Sequence, residues 1–325
     1  MDFSYVGHES QIRGVEAHRL QGGKGDGMRI LQVKNGLGLE FTVSCDRCAD
    51  LSRLSFRGFN MGYFSPAGYV APAYYQDWGT NFLKSFTAGF LTTCGLTAVG
   101  NPCLDAGESL PLHGTISNVP AEHISWDMDD KVIVIRAVMN DEIIFGRKLR
   151  LCRKITCPLD KNEFTITDTV QNRGDSASPL MLLYHMNMGY PLLSEHAVVE
   201  IPSVKVTPRN ARAAQDIDSW NQMLPPTQGF EEQCYFHQFT GRGKASIYNP
   251  QIGVGLEILF DSENLPYFTQ WKMMGIRDYV LGLEPGNCHP DGRDVMRREG
   301  TLTILEPGAE KTYSVTVKML ENREV

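Results

Sequence analysis

The sequence contains no apolar run approaching the roughly 18 residues that a membrane-spanning helix requires. Its longest candidates, such as Val132 to Ile135 and Leu180 to Tyr184, are strand-sized. Basic clusters are also missing. Lys and Arg are dispersed and the net charge is −7, so the electrostatic footprint of a nucleic-acid or anionic-lipid binder is absent and a small molecule is the expected partner. No Asn-x-Ser/Thr acceptor occurs, and the first ten residues, with Asp2, His8 and Glu9, lack a basic start followed by an apolar segment. The eight cysteines are scattered along the chain. Together these features lead us to expect a cytoplasmic protein with free thiols. Helical periodicity is scarce as well: only Ala213 to Leu224 and parts of Thr80 to Val99 could carry a short helix.

What the sequence has in quantity is strand alternation. Lys131 to Met139 is β-branched and bounded by Asp-Asp and Asn-Asp. Lys148 to Cys157 and Glu163 to Asn172 flank the turn Pro158 to Asn162, with Phe164, Ile166 and Val170 on one face and Thr165, Thr167 and Thr169 on the other. Thr301 to Leu305 and Thr312 to Leu320 read as a second hairpin around Glu306 to Glu310, with Leu302 and Ile304 inward, which would end the chain on an edge or closing strand. Further strands are expected at 30–34, 39–44, 180–187, 245–249, 254–260, 267–274 and 279–284. With 325 residues, 31 Gly and 17 Pro, and no linker or repeat, this predicts a single all-β domain, residues 1–325, of large sandwich type.

Two glycine and cysteine motifs read as structural. Gly22 to Gly27 fits neither the dinucleotide nor the phosphate-loop spacing and is expected to be a flexible turn. Cys45-Asp46-Arg47-Cys48 is one CxxC without a second pair, and in an extended chain its sulfurs would point to opposite faces. Three other segments carry polar residues at the ends of apolar strands, where small-molecule sites are commonly built. In Leu110 to Ile116, His113 is followed at once by Gly114. In Leu180 to Leu193, His185 and Asn187 share a face before the break at Gly189-Tyr190-Pro191. In Tyr279 to Gly286, Glu284 stands immediately before Pro285-Gly286.

In that order, His113-Gly114 after Leu-Pro-Leu, His185 with Asn187, and Leu283-Glu284-Pro285 resemble the signature of the aldose 1-epimerases, the galactose mutarotase superfamily. The resemblance extends over most of the chain and marks a divergent branch, because Met186 to Pro191 replaces the usual Tyr-Phe-Asn-Leu. It implies a large β-supersandwich with few short helices, and an isomerase of carbohydrate metabolism that interconverts the anomers of a sugar. Carried over by position, it makes Glu284 the catalytic base, His185 the catalytic acid and His113 a substrate contact. The family's arginine segment has no clear counterpart; Arg47, or Arg53, is the nearest.

Opening and reclosing a cyclic hemiacetal needs one base and one acid, placed on opposite sides of a roughly planar sugar. Burial is expected to raise Glu284 toward neutrality, and a neighbouring acceptor to keep His185 protonated. No metal or other cofactor is called for, since no hydride moves. The strand Tyr267 to Met274 offers Trp271 with Thr269 and Met273 on one face, and Gln270 with Lys272 on the other; either set could face a sugar. Trp271, Lys272, Asn187, Arg47 and, at the rim, Asp50 are therefore candidate substrate-binding residues. Two other readings remain open at this level: a sugar-binding or sensing protein without turnover, and a metal-assisted sugar isomerase using His113, His185, Glu284 and His289 or Asp291.

Overall fold

The structure, a computed structural model, describes residues 3–322. Its sheets are built from antiparallel strands. The largest sheet has eight, in the spatial order His123–Met128, Val132–Glu142, Lys148–Pro158, Glu163–Asn172, Glu310–Glu321, Val254–Asp261, Arg242–Asn249 and Val198–Glu200. The long hairpin expected around Pro158 to Asn162 is present, and its Phe164, Ile166 and Val170 are buried as the alternation requires. The expected C-terminal hairpin is not. Ile304–Leu305 pairs instead with Ser178–Pro179, which leaves Ile304 exposed, and Glu310–Glu321 lies in mid-sheet between Glu163–Asn172 and Val254–Asp261. The turn residues do reverse the chain, but two backbone bonds, from Gly308 N–H to Asn172 O and from Asn172 N–H to Ala309 O, dock the strand against the earlier hairpin.

The second sheet has six strands: β1 (Leu91–Leu96), β2 (Met181–Met188), β3 (Lys205–Pro208), β4 (Gln233–Gln238), β5 (Tyr267–Met274) and β6 (Tyr279–Gly286). Its order is β3-β4-β5-β6-β2-β1. A five-stranded sheet from Gly14–Arg19 to Phe59–Asn60 completes the main layers. One apolar core joins all three sheets. Phe260 of the eight-stranded sheet stacks on Phe268 of β5 at 5.4 Å, and Phe41 of the five-stranded sheet meets Phe164 at 5.1 Å. Aromatic pairs at such separations add to the burial of their large apolar area.

Among the described residues the α-helices are the short Ala211–Gln215 and Arg293–Arg298, and one of several 3-10 turns, Asn81–Lys84, lies in the segment that leads into β1. Gly23–Gly25 is a 3-10 turn. The CxxC is itself a turn rather than extended chain, and both Cys45 and Cys48 are buried in the core. All eight cysteines are free.

Candidate active site

The outer face of the six-stranded sheet carries the site, and strand alternation fixes which side chains reach it. Phe268 belongs to the core, so Gln270 and Lys272 of β5 point inward with it, while Thr269 and Trp271 face out. In β6, Leu281 and Leu283 are core and Gly282 and Glu284 face out; in β2, Leu182, Tyr184 and Met186 are core and His185 faces out. Pairing of β2 with β6 aligns Leu183 with Gly286 and Met186 with Leu283, which sets His185 directly opposite Glu284. On the other side of β6, Thr269 is the partner of Glu284, so one row crosses three strands.

His113 arrives from outside the sheet. It adopts a left-handed conformation (φ 59°), followed by Gly114 at φ 72°, where a Cβ would stand 2.3 Å from the Gly95 carbonyl oxygen. Only glycine lets this turn pack so closely against β1. The Gly100 N–H donates to His113 Nδ1 at 3.4 Å, which puts the ring proton on Nε2. The rings of His113 and His185 are 5.5 Å apart, and His185 lies 5.3 Å from Trp271 on its other side.

These groups line a cleft of about 220 Å³. His185 Nε2 is 3.3 Å from Glu284 Oε1, with both side chains almost completely buried. Burial raises the Glu284 carboxyl well above the ordinary carboxylate range, and it lowers His185 to about 4. His113 is lowered too, by burial first and then by the neighbouring His185 and Arg209. Burial therefore favours the uncharged form of both partners, in contrast to the protonated His185 expected from sequence. Base and acid also stand side by side rather than on opposite sides of a sugar, since 3.3 Å leaves no room for a ring between them. Glu284 Oε1, His185 Nδ1 and Thr269 Oγ1 are buried without a hydrogen-bond partner. Such atoms are costly to leave unmade, which marks them as places where a ligand can bond.

Sequence reasoning missed several lining residues. Arg209, Glu232, Cys234 and Asn101 form one rim, and Phe82, Leu83, Phe86 and Leu112 form another. Glu232 accepts the Trp271 indole N–H at 2.8 Å, while Arg209 is fixed by Asp291 at 2.9 Å and the Pro290 carbonyl at 2.9 Å. Arg209 and Glu232 lie just outside short strands, after Lys205–Pro208 and before Gln233–Gln238, where the period of two no longer tells which way a side chain points.

Arg47, Asn187, Lys272, Arg53, Asp50 and His289 are not in the cleft. Arg47 is buried and its guanidinium donates to the carbonyls of Ser117, Val70 and Ser85, so it ties loops together. Asn187 shares the face of His185, but it is fully buried and donates to the carbonyls of Gly89 and His185. Lys272 lies on the inward face of β5 and reaches the Ser219 carbonyl at 3.4 Å. Arg53 stacks over the Phe64 ring at 3.5 Å, and Asp50 pairs with Arg153 in the interior. His289 packs against Phe236 and Tyr267, and among the described residues no three His, Cys, Asp or Glu side chains are grouped to hold a metal ion.

A protein from Klebsiella pneumoniae, provisionally described as an aldose 1-epimerase, superposes with a TM-score of 0.89 at 28% identity, over 94% of this chain and 83% of the other. A galactose mutarotase-like protein from Clostridium acetobutylicum superposes with a TM-score of 0.65 at 14% identity, over 96% and 99% of the two chains. An Escherichia coli K12 protein, again provisionally described as an aldose 1-epimerase, gives 0.62 at 16%, over 95% and 100%. None of the curated proteins matches the sequence at a significant level. The architecture is thus the galactose mutarotase-like β-sandwich, and its low identities make this a divergent branch of that superfamily. Within it, the chain belongs to the DUF4432 family, a domain of unknown function, whose model matches residues 25–319.

Proposed function

We propose that this protein interconverts the anomers of a monosaccharide, with Glu284 and His185 exchanging protons with the sugar. The observation that carries this reading is the Glu284–His185 pair itself: two titratable groups 3.3 Å apart at the floor of a cleft, with Oε1 and Nδ1 left unbonded by the protein. Their adjacency suits the reaction. In a cyclic hemiacetal the anomeric oxygen and the ring oxygen are bonded to the same carbon, so both can be addressed from one side by neighbouring groups.

The pair holds one mobile proton. When the anomeric hydroxyl donates to Glu284 Oε1 it stabilises the carboxylate, and the proton moves to His185 Nε2. Glu284 then takes the hydroxyl proton while His185 protonates the ring oxygen, with His113 Nε2–H as a second donor there. The ring opens, the aldehyde turns, and the reverse transfers close it on the other face. Each positioned transfer contributes about 10² to 10⁴ in rate. The test is an exchange measurement by NMR or polarimetry across a panel of aldoses: faster equilibration than buffer supports the proposal, and rates equal to buffer on every sugar favour binding alone.

Turnover requires one proton on the pair. Because burial lowers His185 to about 4 in the free protein, kcat/KM should hold as pH falls through 6.5 and drop only toward 4, where His185 takes a second proton. An acid limb centred near the ordinary histidine value of about 6.5 would contradict this assignment. Glu284 titrates in the opposite sense. Its raised carboxyl should end activity on the alkaline side.

Gly282 acts on Glu284 through space. A Cβ there would stand 2.2 Å from Glu284 Oε1 and 3.0 Å from the Trp271 Cβ, so any larger residue displaces the carboxyl. Gly282→Ala should lower kcat roughly 10²-fold, the cost of a misplacement near 1 Å, with KM changed far less. Equal losses in folding stability and in KM would instead make Gly282 a packing residue only.

A further inference from the structure

The cleft is polar at one end and apolar at the other. Across the sheet the order is Cys234 on β4, Trp271 on β5, Glu284 on β6 and His185 on β2, followed by β1, against which the His113 turn packs. Beyond Trp271 lies Glu232, and Arg209 joins the polar side of the cleft from the Asn101 and Pro290 segments that hold it. Beyond His113 lie Phe82, 5.2 Å from it, and Phe86, 5.3 Å from His185, with Leu83 and Leu112 completing that wall. The N–H groups of Leu83 and Leu112 are already bonded to the carbonyls of Thr80 and Gly79.

From this polarity we infer that the substrate is a 6-deoxy aldose, whose methyl group seats against Phe82, Leu83, Phe86 and Leu112. The inference rests on the anomer-exchange reading above, which fixes the sugar's orientation. The anomeric oxygen lies over Glu284 and the ring oxygen over His185 and His113. The carbon beyond the ring oxygen, C5 with its C6 substituent, therefore points to the apolar wall. On the other side, the C2 and C3 hydroxyls point toward Trp271, where Glu232 can accept and Arg209 can donate. A hydroxyl on C6 would lose water against Phe82 and Phe86, both buried, and would gain no partner from their rings, a penalty that a methyl group does not meet.

The test compares matched pairs that differ only at C6: galactose with 6-deoxygalactose, glucose with 6-deoxyglucose, and mannose with 6-deoxymannose, in both enantiomeric series. The best pair should favour the 6-deoxy sugar in kcat/KM by tenfold to about a hundredfold, the range available to an apolar pocket that must reject an added hydroxyl. Leu83 is 59% exposed and tolerates a polar side chain, so Leu83→Gln should fold normally and shrink that ratio several-fold by improving the hydroxylated sugar. Equal rates within each pair, or faster exchange of the parent hexoses, would overturn the 6-deoxy assignment and leave anomer exchange standing. Rates equal to buffer on all twelve sugars would remove the anomer-exchange reading, and this inference with it.

Discussion

Glu284→Gln should lower kcat for anomer exchange by roughly 10³-fold, within the span of one positioned proton transfer, while KM stays within a few-fold of wild type. Glutamine keeps the shape of the side chain and can still meet a sugar hydroxyl, but it cannot accept a proton. Stability should hold or rise. The protein spends no hydrogen bond on Glu284 Oε1, and burial already penalises the charged carboxylate, so the substitution removes a cost and leaves no orphaned partner. His185→Asn should depress kcat on the same scale. Turnover of Glu284→Gln within tenfold of wild type would take the base role away from Glu284, and a collapse of its unfolding midpoint would mean that the carboxyl is structural.

The second large effect is expected behind the site. Arg153 is 1% exposed and sits between the sheets, donating to both oxygens of Asp168 at 2.9 and 2.7 Å, to Asp50 at 2.6 Å, and to Thr93 Oγ1 at 2.7 Å. Asp50 accepts from the Thr93 backbone and hydroxyl, and Asp168 accepts from Tyr184, the neighbour of His185 on β2. One guanidinium thus satisfies two carboxylates that have no water to turn to. Arg153→Met keeps the volume but leaves both acids uncompensated, and should cost about 3–5 kcal/mol in chemical denaturation or prevent accumulation of folded protein. Asp50→Asn should be milder, since the Arg153–Asp168 pair survives. A loss below about 1 kcal/mol for Arg153→Met would show that the cluster contributes far less than its geometry implies. Because the cluster grips β1 through Thr93 and β2 through Tyr184, a folded but weakened Arg153 variant should also lose turnover faster than sugar affinity.

These two clusters differ in how far they could be read beforehand. Glu284, His185 and His113 each interrupt an apolar strand end, a break that alternation makes visible one segment at a time. The Arg153 network left no such mark, because Asp168 and Arg153 fall on inward positions of strands whose other inward residues are ordinary core, and their pairing depends on a register set by the hairpin. Arg47 shows the reverse error. An arginine near a turn reads as a ligand-facing cation, yet three loop carbonyls that meet only in the folded chain claim its guanidinium.

By itself the sequence determined that the chain is β throughout and which residues along each strand share a face, because a period of two is a local property of the extended backbone. It also marked the acid and the imidazoles. Which face looks into the cleft was decided by tertiary packing: Phe268 had to meet Phe260 in the core, and that contact turned Trp271 outward and Lys272 inward. The pull of both groups toward their uncharged forms was decided the same way. Whether a carboxyl and an imidazole carry charge depends on the water they keep, and the sheets that enclose Glu284 and His185 come from segments far apart in the chain.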